Sequence, residues 1–567
     1  MLKQKVLAVC FITLMGFACQ GEIKKADLPE AEKKIMHTVD HWRLGFYDQV
    51  QRFEKVEKSF KELLGAKAPK NFMTGIQISL IKVPLNKYWF KGKYTNKVNF
   101  SAAKNEYESF QVAAIPFMGK ELKKVELLAD SLNEVNGKAL IPVDAVKIYR
   151  VGRIKTLNPY YPNAMSESLW PDPLETNIPQ SALKTDLALF WVQIKIPKNT
   201  KSGNYVGELQ LTGDGEKISI EITLHVYNFT LPDRVPFPIA VWTRNPKKND
   251  MDYYRKIFAE FLKHGVDPLN AGEAYKTDHF DFKEFDKTIK FCLDRHQQVF
   301  EINKTNLETL YNHLKEKGWL NKALIYTNYD ESTSQQFKAK NIPYYEKTKK
   351  LYPGLRIFAA TEYHADIDKG CDIWLNDLST AKGMDFAAEH KGKVELWNYY
   401  CGIPINVDYC SSRENQPLML IERDSIEYRL PFWIAWKYSV KGILIYSGNN
   451  AKPQRIPDSN YWQVNQKGKW PYCGIRNGEG FIMYPDCTPS IRMKVLRDGL
   501  EDYGYLMALK KTLPLIKDQK NRKRAEAILE MPVEVIVDPH YFNRNPQGLL
   551  KIRAEVGEIL DKVISKY

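Results

Sequence analysis

The chain has 567 residues, enough for three or four domains of about 150 residues each and for a large buried core. Hydrophobic residues make up 44%, charged residues 27% and aromatic residues 12%, which excludes a small disulfide-stapled protein, a fibrous repeat and a long disordered array. The 83 Lys and Arg against 68 Asp and Glu give a net charge of +15, which favours anionic surfaces or substrates without identifying one. Lysines between Lys338 and Lys350 lie at helical spacing and indicate a solvated helix face, so no nucleic-acid partner is expected.

The N-terminus has the pattern of an export signal. Lys3 and Lys5 precede an apolar run over residues 6–18, which is shorter than the roughly 20 residues of a membrane-spanning helix, so residues 1–18 are predicted to be a signal peptide. The run ends in Gly16-Phe17-Ala18-Cys19, which resembles the lipobox of bacterial lipoproteins with Gly16 in place of the usual leucine. We expect lipidation at Cys19, with simple secretion as the alternative. Both predict an exported protein of the cell envelope, in the periplasm or on the outer-membrane surface, whose only membrane contact is the lipid.

The remaining cysteines do not form a metal-binding pattern. Apart from Cys10 in the predicted signal peptide, they are Cys292, Cys371, Cys401, Cys410, Cys473 and Cys487. No Cys-x-x-Cys occurs and the one close histidine pair has no cysteine nearby, so neither a metal nor another cofactor is expected. Cys401 with Cys410 and Cys473 with Cys487 are candidate disulfides in an oxidising compartment, and buried free thiols are the alternative.

Residues 19–232 contain two predicted units. Apolar side chains recur at helical spacing from Phe46 to Leu63, so residues 19–70 are predicted to be a helical lead-in. Residues 71–232 change to short β-rich runs separated by turn residues, which predicts an all-β sandwich. The runs are 75–81, 108–115, 146–151, 187–196, 205–212 and 218–229. Gly213-Asp214-Gly215 separates the last two runs and is a strong hairpin signal.

Residues 233–488 alternate apolar strands with amphipathic helical stretches. The predicted strands one to eight are 239–243, 266–270, 298–302, 323–329, 356–361, 372–375, 394–399 and 442–447. Strands of this composition, each followed by enough chain for a helix, predict a (β/α)8 TIM-type barrel. Neither G-x-G-x-x-G nor a P-loop occurs, which argues against a doubly wound nucleotide-binding sheet. Residues 489–567 are predicted to be a C-terminal helical segment, so the fold class is a multidomain β plus α/β protein.

Barrel enzymes act from the C-terminal ends of their strands, so the residues there are the candidate site. Strand four runs into Asp330-Glu331, which is either a helix N-cap beside a dipole-favoured glutamate or a catalytic pair. The other strand ends supply Glu362, Tyr363 and His364 after strand five, Asn376 and Asp377 after six, Trp397 and Tyr399 on seven, and Tyr446 on eight. Carboxylates among Trp, Tyr and Asn favour a carbohydrate site, because aromatic rings stack on sugar C–H faces while amides and acids bond hydroxyls. For His364 a hydrogen bond to a sugar and a structural role both stay open.

A second, separated carboxylate is hard to find. Glycosidases usually hold two carboxylates about 5 Å apart for retention or about 6.5–9.5 Å apart for inversion. Glu395 lies at the wrong end of strand seven, and strand eight ends in Ser447-Gly448-Asn449-Asn450 without an acid. A substrate whose 2-acetamido oxygen is the nucleophile needs instead one acid/base and one neighbouring carboxylate, which adjacent Asp330 and Glu331 supply. A separate nucleophile such as Asp377 or Glu362 is the alternative.

Four stretches of the chain, in order, resemble family 123 of the glycoside hydrolases, the β-N-acetylgalactosaminidases. They are Asn105-Glu106-Tyr107-Glu108-Ser109-Phe110-Gln111, Asn228-Phe229-Thr230-Leu231-Pro232, the run from Leu314 to Ala323 leading into Tyr329-Asp330-Glu331, and Arg497-Asp498-Gly499-Leu500-Glu501-Asp502-Tyr503. The resemblance covers most of the chain after about Ile76. It implies a β-sandwich followed by a (β/α)8 barrel and a retaining, substrate-assisted mechanism with Glu331 as acid/base and Asp330 as stabiliser. Ser332 follows the pair where many relatives have proline, which leaves room for a shifted substrate preference.

The expected function is therefore exo-acting removal of terminal β-linked N-acetylgalactosamine from a glycan or glycoconjugate. The alternatives are a β-hexosaminidase or another glycosidase on the same fold, and a non-catalytic surface glycan-binding lipoprotein. The presence of both Asp330 and Glu331 argues against the last. The motif that begins at Arg497 is predicted to be a structural Arg/Asp/Glu network, and Trp433 and Trp436 are predicted to pack in the core.

Overall fold

The computed structural model describes residues 46–157, 169–245, 247, 250–272, 282–327, 333–360, 369–378, 381–400, 417–451, 453–456, 461–464 and 477–565. Cys19 and the predicted signal peptide lie outside these residues, as do Cys401, Cys410 and Cys473. Cys292, Cys371 and Cys487 are free thiols, so the disulfide considered for Cys487 does not form. Among the residues described, no helix has both the length and the apolar character to cross a membrane.

The apolar spacing of the lead-in produces one amphipathic helix, α1 (Phe46–Leu64). Val50, Phe53 and Phe60 lie on one face of α1 and are buried. The Phe53 ring packs edge-on against Tyr88 with centroids 5.1 Å apart. The helix therefore covers part of the β-rich region that follows.

The β-rich region consists of two seven-stranded sheets. The first has the order β1-β3-β10-β7-β22-β21 with β8 also on β7, and the second has the order β2-β12-β11-β4-β9, with β5 paired to β11 and β6 paired to β5. The strands of the first sheet are β1 (Phe72–Ile78), β3 (Tyr107–Pro116), β7 (Val146–Lys155), β8 (Leu169–Thr176), β10 (Ala188–Lys195), β21 (Gln454–Arg455) and β22 (Tyr461–Gln463). Those of the second are β2 (Lys97–Lys104), β4 (Leu122–Ala129), β5 (Leu132–Glu134), β6 (Leu140–Ile141), β9 (Gln180–Ala182), β11 (Gly203–Gly213) and β12 (Glu216–Thr230). Phe100 of the second sheet meets Phe110 of the first at 6.0 Å between ring centroids, so the two sheets share a core.

The hairpin predicted at Gly213-Asp214-Gly215 is confirmed. Gly213 pairs with Glu216 across a two-residue loop, in which Asp214 has φ 47° and Gly215 has φ 89°. Positive φ at both loop residues is the requirement of a type I′ turn, whose twist matches the flanking strands. Asp tolerates this conformation and Gly adopts it without strain, so the turn chemistry determined the register of β11 on β12.

Two short strands from the region predicted to be barrel lie instead on the first sheet. β22 pairs in parallel with β7, and β21 pairs with β22. The Trp462 indole N–H donates to Glu175 Oε1 at 2.9 Å, and Arg455 Nη1 donates to the same oxygen at 2.8 Å. β21 is only two residues long and β22 only three. The composition of such short strands does not indicate which sheet they join.

The barrel is an eight-stranded sheet in which every described pairing is parallel. Its strands are β13 (Ile239–Val241), β14 (Asp267–Pro268), β15 (Phe300–Glu301), β16 (Ala323–Tyr326), β17 (Arg356–Ala360), β18 (Ile373–Asn376), β19 (Glu395–Tyr400) and β20 (Gly442–Ile445). The order runs from β14 through β13, β20, β19, β18, β17 and β16 to β15. A parallel bridge from Gly272 to Ile302 brings the two ends together, so the barrel is nearly closed. Each of the eight predicted strands overlaps one of these strands.

Side chains at alternate positions fill the interior of the barrel. The fully packed members are Ala240, Leu269, Val299, Leu324, Phe358, Ala360, Ile373, Leu375, Trp397 and Leu444. Trp242, Tyr326 and Tyr399 are partly buried and pack on this cluster from the C-terminal end of the strands. The barrel is therefore a packed core with an aromatic layer at one end.

Helices surround the barrel and complete the C-terminal part of the chain. They are α2 (Met251–Lys263), α3 (Phe282–Leu293), α4 (Leu307–Glu316), α5 (Ile342–Leu351), α6 (Ala381–Glu389), α7 (Leu430–Lys437), α8 (Ile491–Thr512), α9 (Gln519–Leu529) and α10 (Pro546–Ile564). A short helical turn, Ser334–Gln336, and a π-helical turn, Phe337–Asn341, precede α5.

The network predicted around the Arg497 motif is confirmed as a structural one. Asp502 on α8 accepts hydrogen bonds from Arg429 at 2.5 and 2.6 Å and from the Trp433 indole at 2.9 Å. Arg553 on α10 pairs with Asp502 at 2.9 Å and with Glu106 beside β3. Buried charges are tolerated here because each has an opposite partner, and together they join the barrel, the sheets and α10.

Candidate active site

The C-terminal ends of the barrel strands carry a layer of polar and aromatic side chains. Its described members are Trp242 after β13, Glu301 on β15, Tyr326 on β16, Asp377 after β18, Tyr399 on β19 and Tyr446 after β20. Each lies two positions beyond an interior residue of its own strand, as Trp242 lies beyond Ala240 and Glu301 beyond Val299. Because strand side chains alternate, these residues continue the inward-facing rows to the end of the barrel.

Trp242 occupies the side of this layer nearest β13. Its indole N–H donates to Glu301 Oε2 at 2.8 Å. Its ring lies edge-to-face with Tyr326, centroids 5.8 Å apart at 88°, and near Tyr446 at 6.3 Å and 65°. Residues from three other strands thus meet around one half-buried tryptophan.

Glu301 and Tyr326 were not among the predicted site residues, and neither was Trp242. Glu301 is 6% exposed and pairs in register with Leu324 of β16, the strand that leads to Asp330 and Glu331. All three could have been found by extending the alternation of interior residues to the end of each predicted strand. The predicted site residues are instead mainly those that follow the strands.

The loops after β13 and β20 hold their end of the site by hydrogen bonds. Asn449 accepts from Arg244 N at 2.7 Å and donates to Arg244 O at 2.9 Å. Gly448 N donates to the Trp242 carbonyl at 2.9 Å. The Tyr446 hydroxyl accepts from Asn450 Nδ2 at 2.9 Å. The predicted site residue Tyr446 is therefore fixed together with Trp242.

The predicted residues after β18 point in different directions. Asn376 is buried, and its amide donates to the Gly383 carbonyl of α6 at 3.4 Å, away from the interior. Asp377 is half-buried and follows the inward row of Leu375. Burial raises the pKa of Tyr400, and the charge of Asp377 raises it further. Asp377 thus belongs with the terminal layer, whereas the described bond of Asn376 is structural.

The two predicted residues on β19 lie at different depths. Tyr399 packs half-buried on the interior cluster at the end of the barrel. Trp397 is 0% exposed and lies one layer below, where its indole N–H donates to Glu395 Oε1 at 3.0 Å. The structure therefore places Trp397 in the packed floor of the site and not, as predicted, in contact with substrate. Both side chains point into the barrel, because the two residues are two positions apart on one strand. The depth at which each side chain lies depends on how the strands are staggered around the barrel.

Asp330, Glu331, Glu362, Tyr363 and His364 lie outside the described residues, so their roles stay predictions. The helical turn that follows them in the chain is described. Thr333 is the N-cap of this turn, because it accepts from Gln336 N at 3.4 Å and donates its own N–H to Gln336 Oε1 at 3.2 Å. This is a complete capping box.

A cavity of about 880 Å³ lies at the opposite end of the barrel. Val235, Gly265 and His296, which precede β13, β14 and β15, are among its lining residues. Barrel enzymes bind substrate at the C-terminal ends of the strands, so this cavity is not the candidate active site. In the described ranges no group of three or more His, Cys, Asp or Glu side chains forms a metal site.

A parallel barrel with carboxylates and aromatic rings at the ends of its strands is typical of carbohydrate-active enzymes. Residues 273–509 match the family described as glycoside hydrolase 123, catalytic domain, and residues 89–213 match the glycoside hydrolase 123 N-terminal domain. The chain belongs to glycoside hydrolase family 123 and is a glycosidase. No curated protein sequence matches it.

One solved structure supports the shared fold. A family 123 glycoside hydrolase from Clostridium perfringens, described for glycolipid glycan hydrolysis, has a TM-score of 0.64 at 17% identity, covering 87% of this chain and 100% of that chain. A β-glucuronidase from Parabacteroides merdae gives 0.27 at 10% identity, covering 77% of this chain and 52% of that one. A putative β-galactosidase from Bacteroides fragilis gives 0.29 at 11% identity, covering 71% and 59%. The last two scores are too low for any conclusion about this chain.

Proposed function

We propose that this glycosidase is an exo-acting β-N-acetylgalactosaminidase that works with retention through substrate assistance. The observation that carries the proposal is the position of Asp330-Glu331 between the active end of β16 and a helical turn that Thr333 already caps. Two adjacent carboxylates at the end of a barrel strand suit a mechanism that needs one proton donor and one neighbouring anion.

The proposed chemistry divides the work between the two acids. Glu331 donates its proton to the glycosidic oxygen while the acetamido oxygen of the substrate attacks C1, so the leaving alcohol departs and a cyclic oxazolinium forms. Asp330 accepts the amide N–H and stabilises the positive charge, which is largest in the transition state. Glu331, now a carboxylate, removes a proton from water as its oxygen attacks C1 and reopens the ring. The β configuration is retained because C1 is attacked twice.

The described part of the site is closed from below. The interior below Trp242 and Tyr399 is packed, with Trp397 fully buried beneath them, so a substrate approaches from the C-terminal ends of the strands. The Clostridium perfringens relative is described for glycolipid glycans. We therefore propose glycans of glycoconjugates that end in an N-acetylhexosamine as the substrate class.

The direct test is hydrolysis of 4-nitrophenyl β-glycosides of GalNAc, GlcNAc and galactose by the purified protein. We expect cleavage of the GalNAc glycoside above the GlcNAc one and no cleavage of the galactoside, because galactose has no acetamido nucleophile. Cleavage of the galactoside at a similar rate would contradict substrate assistance. Absence of hydrolysis, with sugar binding retained, would support the non-catalytic alternative.

We also propose that the exported chain is lipidated at Cys19 after removal of residues 1–18. The support is the short apolar run and the small residues before Cys19. A fatty-acid probe should label the parent protein and fail to label Cys19→Ala, which should be released from the membrane fraction. A parent protein that takes up no probe would leave simple secretion as the explanation.

A further inference from the structure

We propose that Trp242 is the platform on which the terminal sugar stacks, and that it is the residue which selects the galacto over the gluco configuration. Glu301 is inferred to be its positioning residue. This inference rests on the proposed function, which leaves the choice between GalNAc and GlcNAc without a structural explanation.

The first support is the position of Trp242. It continues the inward row of Ala240, lies at the active end of the barrel, and remains half-buried while the layer beneath it is fully packed. The ring therefore lies at the end of the barrel from which a sugar would enter. A ring in this position offers an apolar surface directly above the closed floor of the site.

The second support is that the ring is held from several sides. Glu301 accepts the indole N–H at 2.8 Å, and Glu301 is itself only 6% exposed. Tyr326 and Tyr446 contact the ring from β16 and from the end of β20, at 5.8 and 6.3 Å between centroids. A hydrogen bond to a buried carboxylate is stronger than one between neutral groups, so the ring plane is determined before substrate arrives.

The third support is the chemistry of the two sugars. In the galacto configuration the axial 4-hydroxyl leaves C3–H, C4–H and C5–H together on one face as a continuous apolar patch. In the gluco configuration the 4-hydroxyl is equatorial, so C4–H points to the opposite face and the patch is broken. A flat aromatic ring gains more contact from the continuous patch, and a rigid ring cannot tilt to recover the difference.

The experiment compares GalNAc and GlcNAc substrates in matched variants. Trp242→Phe keeps an aromatic ring but loses the indole N–H and part of the surface. We expect kcat/KM for the GalNAc glycoside to fall about tenfold, mostly through KM, with the GlcNAc glycoside nearly unchanged. Trp436→Phe is the control, because this half-buried tryptophan on α7 also loses one indole hydrogen bond, 2.9 Å to Leu529 O, away from the strand ends.

Glu301 variants separate positioning from charge. Glu301→Gln retains an acceptor for the indole and should preserve the GalNAc to GlcNAc ratio within about twofold. Glu301→Leu leaves the indole N–H without this acceptor and should lower the ratio towards that of Trp242→Phe. Thermal unfolding of each variant identifies loss of folding, and ratios are compared only for variants that stay folded. An unchanged ratio in Trp242→Phe, or equal loss on both sugars, would overturn the proposal.

Sugar binding distinguishes this inference from the proposed function. Calorimetric titration with free GalNAc and free GlcNAc needs no catalysis, so it tests the platform even if no glycoside is cleaved. We expect the parent protein to bind GalNAc more tightly and Trp242→Phe to lose that preference. A parent protein that hydrolyses neither glycoside but keeps the binding preference would contradict only the proposed function. Equal binding of the two sugars by the parent protein would overturn the proposal that Trp242 is the platform.

Discussion

At the scale of single residues, Glu331 and Asp330 are adjacent in sequence but are assigned opposite protonation states. A carboxyl that donates a proton must hold it at the working pH, whereas a neighbour that stabilises positive charge must be ionised. Close carboxylates favour this division, because a negative charge on one raises the free energy of ionising the other. The two roles therefore predict different responses to substitution.

Glu331→Gln should lose most activity on a natural oligosaccharide, whose leaving group needs a proton, and retain more on a dinitrophenyl glycoside. The measurement is kcat/KM on both substrates, with Glu389→Gln on α6 as a control outside the strand ends. Equal losses on the two substrates would argue against proton donation by Glu331.

Asp330→Asn should lower kcat by about 10² or more, because a preorganised charge acts mainly on the transition state. Mono-, di- and trifluoroacetyl versions of the substrate should be cleaved progressively more slowly by the parent protein, since fluorine weakens the carbonyl oxygen as a nucleophile. Rates that stay flat across that series, or a sugar trapped covalently on Asp377 or Glu362, would identify a separate nucleophile.

At the scale of elements, strand β3 carries an acid whose burial makes stability depend on pH. The pKa of Glu108 is raised to about 7 from an ordinary 4.5, mainly because the side chain is buried and also because of the negative charge of Glu106, although Arg553 opposes both effects. The folded state therefore binds this proton more tightly than the unfolded state. Its contribution to stability is complete below about pH 4.5 and is lost as the pH rises through about 7.

Glu108→Gln should accordingly stabilise the protein at pH 8, by about 1–3 kcal/mol, and have little effect at pH 5. Denaturant unfolding at the two pH values measures this difference. Glu221→Gln on β12, whose carboxylate forms an exposed pair with Lys97, should show no such dependence. A larger gain at pH 5 than at pH 8 would reverse the sign and contradict the argument.

At the scale of the whole molecule, one buried arginine joins three parts of the chain. Arg553 on α10 contacts Asp502 on α8 and the glutamates Glu106 and Glu108 at β3. Removing the cation would leave buried carboxylates without their partner, which costs about 3–5 kcal/mol in comparable cases.

Arg553→Met should therefore lower the free energy of unfolding by about 3–5 kcal/mol. Arg522→Met on α9 removes an exposed i,i+4 pair with Glu526 and should change it by less than about 1 kcal/mol. Chemical denaturation of both variants at pH 7 measures the difference. Similar effects of the two substitutions would show that the buried network is not what holds the parts together.

The positions of the barrel strands along the chain and the main hairpin turn could be predicted from the sequence. Eight apolar runs coincide with the eight barrel strands, and Gly213-Asp214-Gly215 specified a hairpin, because strand alternation and turn chemistry act over a few neighbouring residues. The order of elements was predictable for the same reason. Asp330 and Glu331 were predicted as the catalytic pair because barrel strands place their C-terminal ends at the site.

Which side chains contact one another depends on the tertiary structure. Trp242 and Glu301 are 59 positions apart and belong to strands that are joined through the closure of the barrel. The same alternation that directs Trp397 and Tyr399 inward does not give their depth, which follows from the stagger of neighbouring strands. β22 joined the first sheet through long-range pairing that three residues cannot encode. The sequence alone thus determined which side of each strand a side chain lies on and the order of the elements along the chain. How deep a side chain lies and which residues it contacts depend on contacts between distant segments, so they required the packed barrel.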